Sequence, residues 1–180
     1  EPSGLRRPGS AKTVKLRRTS ARTSGLSVIV LLGLIAWATT QMRKLRDRAR
    51  EFNDGADTLH LDPQLDIPKY VASVDTHLMP GGYACEVVDG DVCNAASYDS
   101  GLFATLGGAG GPWNDAAGRA LVAWLARHAP DFSPRTIVDL GCGLGHNTLP
   151  LRCAFPSARV VAIDVAAPFL RYGHARARSL

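Results

Sequence analysis

Several familiar signatures are missing from this chain. None of its four cysteines forms a C-x-x-C pair, and no histidine stands at a metal-ligand spacing from them, so the common zinc frameworks are excluded and no metal is expected. No lysine follows its densest glycine run, which excludes a Walker phosphate loop. The uncharged run from Leu26 to Ala38 is 13 residues, short of the roughly 20 that span a bilayer as a helix. Acids are nearly absent at the start. Residues 1–50 hold 2 of the 16 Asp and Glu but 12 of the 21 Lys and Arg, a net +10, which leaves −5 for residues 51–180. An acidic body argues against a nucleic-acid partner, because phosphate binding needs a clustered basic face.

What remains is a globular composition, 46% hydrophobic and 21% charged over 180 residues, enough for one domain of ordinary size. Cys142 sits inside the glycine run, where a disulfide would block a ligand. Reduced thiols in a reducing compartment follow, with Cys85, Cys93 and Cys153 read as small buried apolar residues.

The basic head, residues 1–41, admits several readings. The run 26–38 suits the core of a signal peptide, with Ala36-Trp37-Ala38 as a cleavage pattern, and the Arg-rich flank before it suits a transit peptide. It is also readable as sequence translated upstream of a start at Met42. If it is a true anchor, the basic residues Arg43 to Arg50 place the body on the cytoplasmic side. A cytoplasmic protein is expected, with a membrane as partner only in the anchored case.

Residues 42–112 read as a leader of loops and short helices. The stretch from Met42 opens as a polar helix, and residues 53–68, with Pro63 and Pro68, read as a linker. Tyr70 to Leu78 reads as a short helix or strand, and "MPGGY" as a turn. "GLFATLGGAGGPWND", residues 101–115, reads as a glycine-rich loop: a flexible connector, or a lid with Tyr83 or Trp113 as an aromatic wall. Asn114 or Asp115 is an expected N-cap. The helix that follows has Ala117, Leu121, Trp124, Leu125 and His128 on one face, which assigns Trp124 to a core and His128 to the helix end.

From residue 113 onward the pattern is α/β. "TIVDL" has the β-branched character of a buried parallel strand. "HNTLPLRCAF" reads as a short helix, "ARVVAID" as a second buried strand, and "APFLRYGHARARSL" as a second helix with Pro168 near its start. The order strand, loop, helix, strand, helix opens a Rossmann-like open parallel sheet with flanking helices. Gly141, Gly143 and Gly145 follow the first strand. There the backbone must turn sharply and admit a ligand closely, and the helix must begin tight against the strand. The N–H groups of that helix's first turn are expected to face an anion or an electron-rich group. Asp164, at the end of the second strand, stands where a carboxylate accepts both hydroxyls of a ribose.

The spacing G-x-G-x-G places His146 where a dinucleotide fingerprint has its last glycine. "VDLGCGLGHNT" followed by "VVAID" resembles the first motif and acidic partner of class I S-adenosylmethionine-dependent methyltransferases. The resemblance covers Arg135 to Leu180, and more faintly a leader region from Tyr70 to Pro112. It implies S-adenosylmethionine as cofactor, with Asp139, Gly141 and Gly143 along its methionine part. It also implies Asp164 on the ribose and Val165 near the adenine, with Cys142 and Gly145 completing the loop. Asp139 also reads as a strand-end acid that caps the turn, and the two roles are compatible. His146 and Asn147 read as helix-start residues, and no catalytic residue is assigned. The family's sheet has seven strands and this chain supplies two, so it reads as a fragment that would methylate nothing alone. The acceptor is unknown, a small molecule being favoured. The competing readings are a nicotinamide oxidoreductase and a nucleoside-binding module without catalysis.

Overall fold

The computed structural model describes residues 40–72 and 82–180. The expected signal or anchor at 26–38, most of the stretch 70–78 and the start of the "MPGGY" turn lie outside the described residues. Residues 40–53 are helical (α1). There follow α2 (Lys69–Ala72), α3 (Cys93–Thr105), α4 (Ala116–His128), β1 (Thr136–Leu140), α5 (Thr148–Ala154), β2 (Arg159–Ile163) and α6 (Ala167–Ser179). Among the described residues no helix is long and apolar enough to cross a membrane.

The strands form one parallel pair in register, Thr136 beside Arg159 through Leu140 beside Ile163. Their bounds follow the β-branched runs seen in the sequence. Their burial does not. Val138 is 54% and Leu140 75% exposed, and Ile163 is exposed as well. A strand is buried only by what covers it, and among the described residues each has a single neighbouring strand. The expectation of fully buried strands is corrected accordingly.

The core lies behind the glycine turn. Leu144, only 1% exposed, packs with Ala95, Ala166 and Phe169, flanked by Tyr83, Tyr98 and Tyr172. A second cluster joins Ala49 of α1, Val92 and Ala175 of α6. The end of α1 is tied to α6 by Asn53, whose Nδ2 donates to the Arg171 carbonyl at 2.9 Å and whose Oδ1 meets His174 Nδ1 at 2.8 Å. The leader is thus packed into the same body as the sheet.

Helix α3 was not visible in the sequence, where residues 101–115 read as one loop. Residues 101–105 are instead its last turn. Its start is fixed by Asp91, whose carboxylate accepts the N–H groups of Cys93 at 2.8 Å and Val87 at 3.1 Å. Burial alone would raise the Asp91 pKa, and these backbone donors outweigh it and bring it below the usual carboxylate value. The glycines after α3 form a chain of hydrogen-bonded turns. The N–H groups of Gly107, Gly108 and Gly111 donate to the carbonyls of Ala104, Phe103 and Gly108.

Helix α4 appears where periodicity placed it, with two corrections. Asp115 occupies the N-cap position without a capping bond, and its carboxylate instead pairs with Arg119 at 3.3 Å. Trp124 is 56% exposed rather than core, its ring stacked on His128 at 4.8 Å. The buried position on this helix is Gly118. A Cβ there would lie 2.9 Å from Asn147 Cα and 3.0 Å from the His146 carbonyl oxygen, so α4 backbone rests directly on the start of α5.

Candidate functional site

The site is the turn between β1 and α5 together with the end of β2. Gly141, Gly143 and Gly145 all have positive φ, at 70°, 53° and 79°, a region that costs residues with a Cβ appreciable strain. Among the described residues, a Cβ on Gly141 would meet nothing within 4 Å, and one on Gly143 only Phe169 at 3.9 Å, so none of these residues fills the space beside the two glycines. Between them and Gly145 the chain alternates: Leu144 is the pin that anchors the turn in the core.

The turn is bound to β2. The N–H groups of Gly141 and Cys142 both donate to the Ile163 carbonyl, at 2.8 and 3.0 Å. The Gly143 N–H donates to Asp164 Oδ2 at 2.8 Å, and Asp164 Oδ1 accepts the Ala166 N–H at 2.8 Å in an Asx-type turn into α6. Gly145 N–H closes the turn on the Cys142 carbonyl at 2.9 Å. Gly143, Gly145 and Asp164 thus share one crevice, whose lining does not include Gly141 or Asp139, and the backbone donors at 141, 142, 143 and 145 are already engaged. A carboxylate oxygen accepts two hydrogen bonds, so each oxygen of Asp164 retains capacity for one more.

Asp139 sits at the end of β1 and accepts the Thr148 hydroxyl at 2.5 Å, which ties the strand end to the first residue of α5. Val165, exposed, follows Asp164. Cys142, Gly143, Gly145, Asp164 and Val165 line one open cleft, which runs along β2 and is faced by residues of the α1–α2 linker such as Leu59 and Leu61. The Cys142 thiol is pushed up to about 12, first by burial and then by the charges of Asp164 and Asp139. It is a neutral thiol and no nucleophile. All four cysteines are free; of the three expected to be buried, Cys85 and Cys93 are only partly buried and Cys153 is exposed.

Of the two aromatic candidates, neither lines the cleft; Tyr83 packs in the core cluster behind the glycine turn. Tyr83 packs on Phe169 with ring centroids 4.9 Å apart and on Tyr98 at 5.4 Å. Its hydroxyl pKa is raised by burial, then by Tyr98 and by the nearby Asp164. The Trp113 carbonyl instead accepts from Arg176, whose guanidinium lies 5.8 Å from the Trp113 ring centre. Sequence reading also missed Asp99, a partner of His146 at 2.9 Å. Nothing in the local pattern of α3 marks it, because its partners are 15 to 77 positions away. Among the described residues, no group of three or more His, Cys, Asp or Glu is placed to hold a metal ion.

No protein-family model matches the chain, and no solved structure matches it significantly. A stretch of 54 residues, 30% of this chain, is 37% identical to a trans-aconitate 2-methyltransferase of Methylobacterium radiotolerans. That stretch spans 21% of the length of the relative, so the shared portion is about a fifth of that enzyme. The chain is thus similar, over that portion, to a methyltransferase.

Proposed function

We propose that this chain carries part of an S-adenosylmethionine site and serves methyl transfer to a small-molecule acceptor. The observation that carries this reading is the bond between the Gly143 N–H and Asp164, which sets bare backbone and a carboxylate on two sides of one crevice. The partial similarity to a methyltransferase supports it.

The residues present fit that group. Gly141 and Gly143 leave, among the described residues, open volume where side chains would stand. Asp164 has acceptor capacity for two ribose hydroxyls. In this reading Asp139, whose carboxylate already accepts the Thr148 hydroxyl, receives the methionine ammonium, and Val165 borders the adenine. When bound, the cofactor supplies a methyl group already activated on a sulfonium. The chain's residues then have one main task, to hold that methyl in line with the acceptor. Alignment of this kind supplies on the order of 7–11 kcal/mol of a barrier. A general base is required only for an acceptor that must lose a proton, and none is assigned.

Isothermal titration of the full-length protein with S-adenosylmethionine and with NADH separates the readings. One S-adenosylmethionine bound per chain and no NADH is the expected result. NADH binding without S-adenosylmethionine binding would replace this proposal with the oxidoreductase reading.

A further inference from the structure

A densely connected polar group lies outside the crevice. Asp99, in the middle of α3 and 16% exposed, gathers four side chains from three other segments. Its Oδ1 accepts from Asn114 Nδ2 at 2.8 Å and from His146 Nε2 at 2.9 Å. Its Oδ2 accepts the Tyr172 hydroxyl at 3.1 Å and lies 4.0 Å from Arg176 Nε. Asn114 Nδ2 also donates to the Asp99 carbonyl at 2.8 Å. Burial alone would raise the Asp99 pKa. The bonds from His146 and Asn114 and the charge of Arg176 outweigh it and bring it to about 2, so the group is a carboxylate at neutral pH.

His146 is the residue that gives this cluster a consequence. It follows Gly145 directly, at the exit of the glycine turn. An ionised carboxylate only accepts hydrogen bonds, so His146 must carry a proton on Nε2. The opposite side of the same exit is held by α4, whose Gly118 backbone rests on the His146 carbonyl and Asn147. Below it, Gly173 of α6 abuts Leu144, where a Cβ would come within 3.1 Å of the Leu144 carbonyl carbon. The turn is thus fixed at β2 by Asp164, in the core by Leu144 and at its exit by α3. Neither Asp99 nor His146 lines the cleft.

We infer that Asp99 and His146 are a positioning pair: the leader helix α3 latches the exit of the glycine turn, and the latch sets how tightly the crevice holds its nucleoside. The inference rests on the S-adenosylmethionine reading for its ligand, while the latch itself rests on the bonds above. A turn that must be reordered on binding lowers affinity by the cost of ordering it. A turn held in place beforehand does not. The region ahead of the sheet is then part of the binding apparatus, although none of its residues in the latch touches the ligand.

The test uses the protein and three variants, Asp99→Ala, His146→Leu and His146→Gln, titrated with S-adenosylmethionine well below their unfolding temperatures. Asp99→Ala, which removes the acceptor altogether, and His146→Leu are expected to bind about tenfold more weakly. His146→Gln, whose side-chain amide can still donate to Asp99, is expected to stay within about twofold of wild type. Nitrogen-15 spectra of the imidazole are expected to show His146 protonated on Nε2 in the wild type. Amide exchange at Gly145 and His146 is expected to accelerate in Asp99→Ala. A purely structural role would lower the unfolding temperature of the variants and leave the affinity of the folded protein unchanged. Wild-type binding with Asp99→Ala and His146→Leu within about twofold of it would overturn the inference. So would a His146 ring protonated on Nδ1 alone. If the wild-type protein bound no S-adenosylmethionine, the proposed function would fall, and the latch would be decided by the ring-nitrogen and exchange readings.

Discussion

Asp164→Ala is expected to weaken S-adenosylmethionine binding about a hundredfold, roughly 2.7 kcal/mol. Two effects combine. The variant removes an ionised acceptor proposed to hold the ribose hydroxyls, and hydrogen bonds to charged groups are worth about 1.5–3 kcal/mol each. It also releases the Gly143 N–H from its partner on β2, which loosens the wall of the crevice. The side chain therefore has two duties, and the variant is expected to fold with lower stability rather than unchanged. The Ala166 N–H at the start of α6 loses its acceptor too. Asp164→Asn is no clean substitute, since one amide oxygen cannot replace two acceptors that face two backbone donors. Affinity is read by titration and stability by urea unfolding. Affinity within a few-fold of wild type would remove the ribose assignment.

Leu144→Ala is expected to destabilise the 180-residue chain by about 3 kcal/mol in urea unfolding. Leu144 is the buried residue of the glycine run, against Ala95, Ala166 and Phe169. Removing it leaves a cavity that neighbouring backbone limits in collapsing, because α6 already rests on the turn at Gly173. Leu144→Met, which nearly conserves volume, is expected to cost under about 1.5 kcal/mol. A loss below about 1 kcal/mol for the alanine variant would mean that the turn is not held through this side chain.

These two positions show what the sequence could and could not disclose. The glycines and Asp164 were legible because their roles are local: a sharp turn requires residues without Cβ, and a strand-end acid announces itself by its place. The bounds of α4, β1, α5, β2 and α6 were legible for the same reason, through periodicity, β-branching and proline position. Nothing local marks Leu144, since its burial depends on α3 and α6 arriving from far along the chain. Asp99 was hidden in a helix with almost no apolar periodicity, whose start is set by the Asp91 carboxylate rather than by its own residues. Trp124 erred in the other direction. Helical spacing marks an apolar face, but not whether anything covers it, and here the ring lies open against His128. The strands misled likewise: β-branched composition describes what a strand can bury, whereas Val138 and Leu140 are largely bare.

The most direct test is a crystal structure of the full-length protein with S-adenosylhomocysteine. Both ribose hydroxyls are expected within about 3 Å of the Asp164 carboxylate, with the amino-acid part of the ligand beside Gly141 and Gly143. A ligand bound elsewhere, or a ribose directed away from Asp164, would contradict the assignment of this crevice.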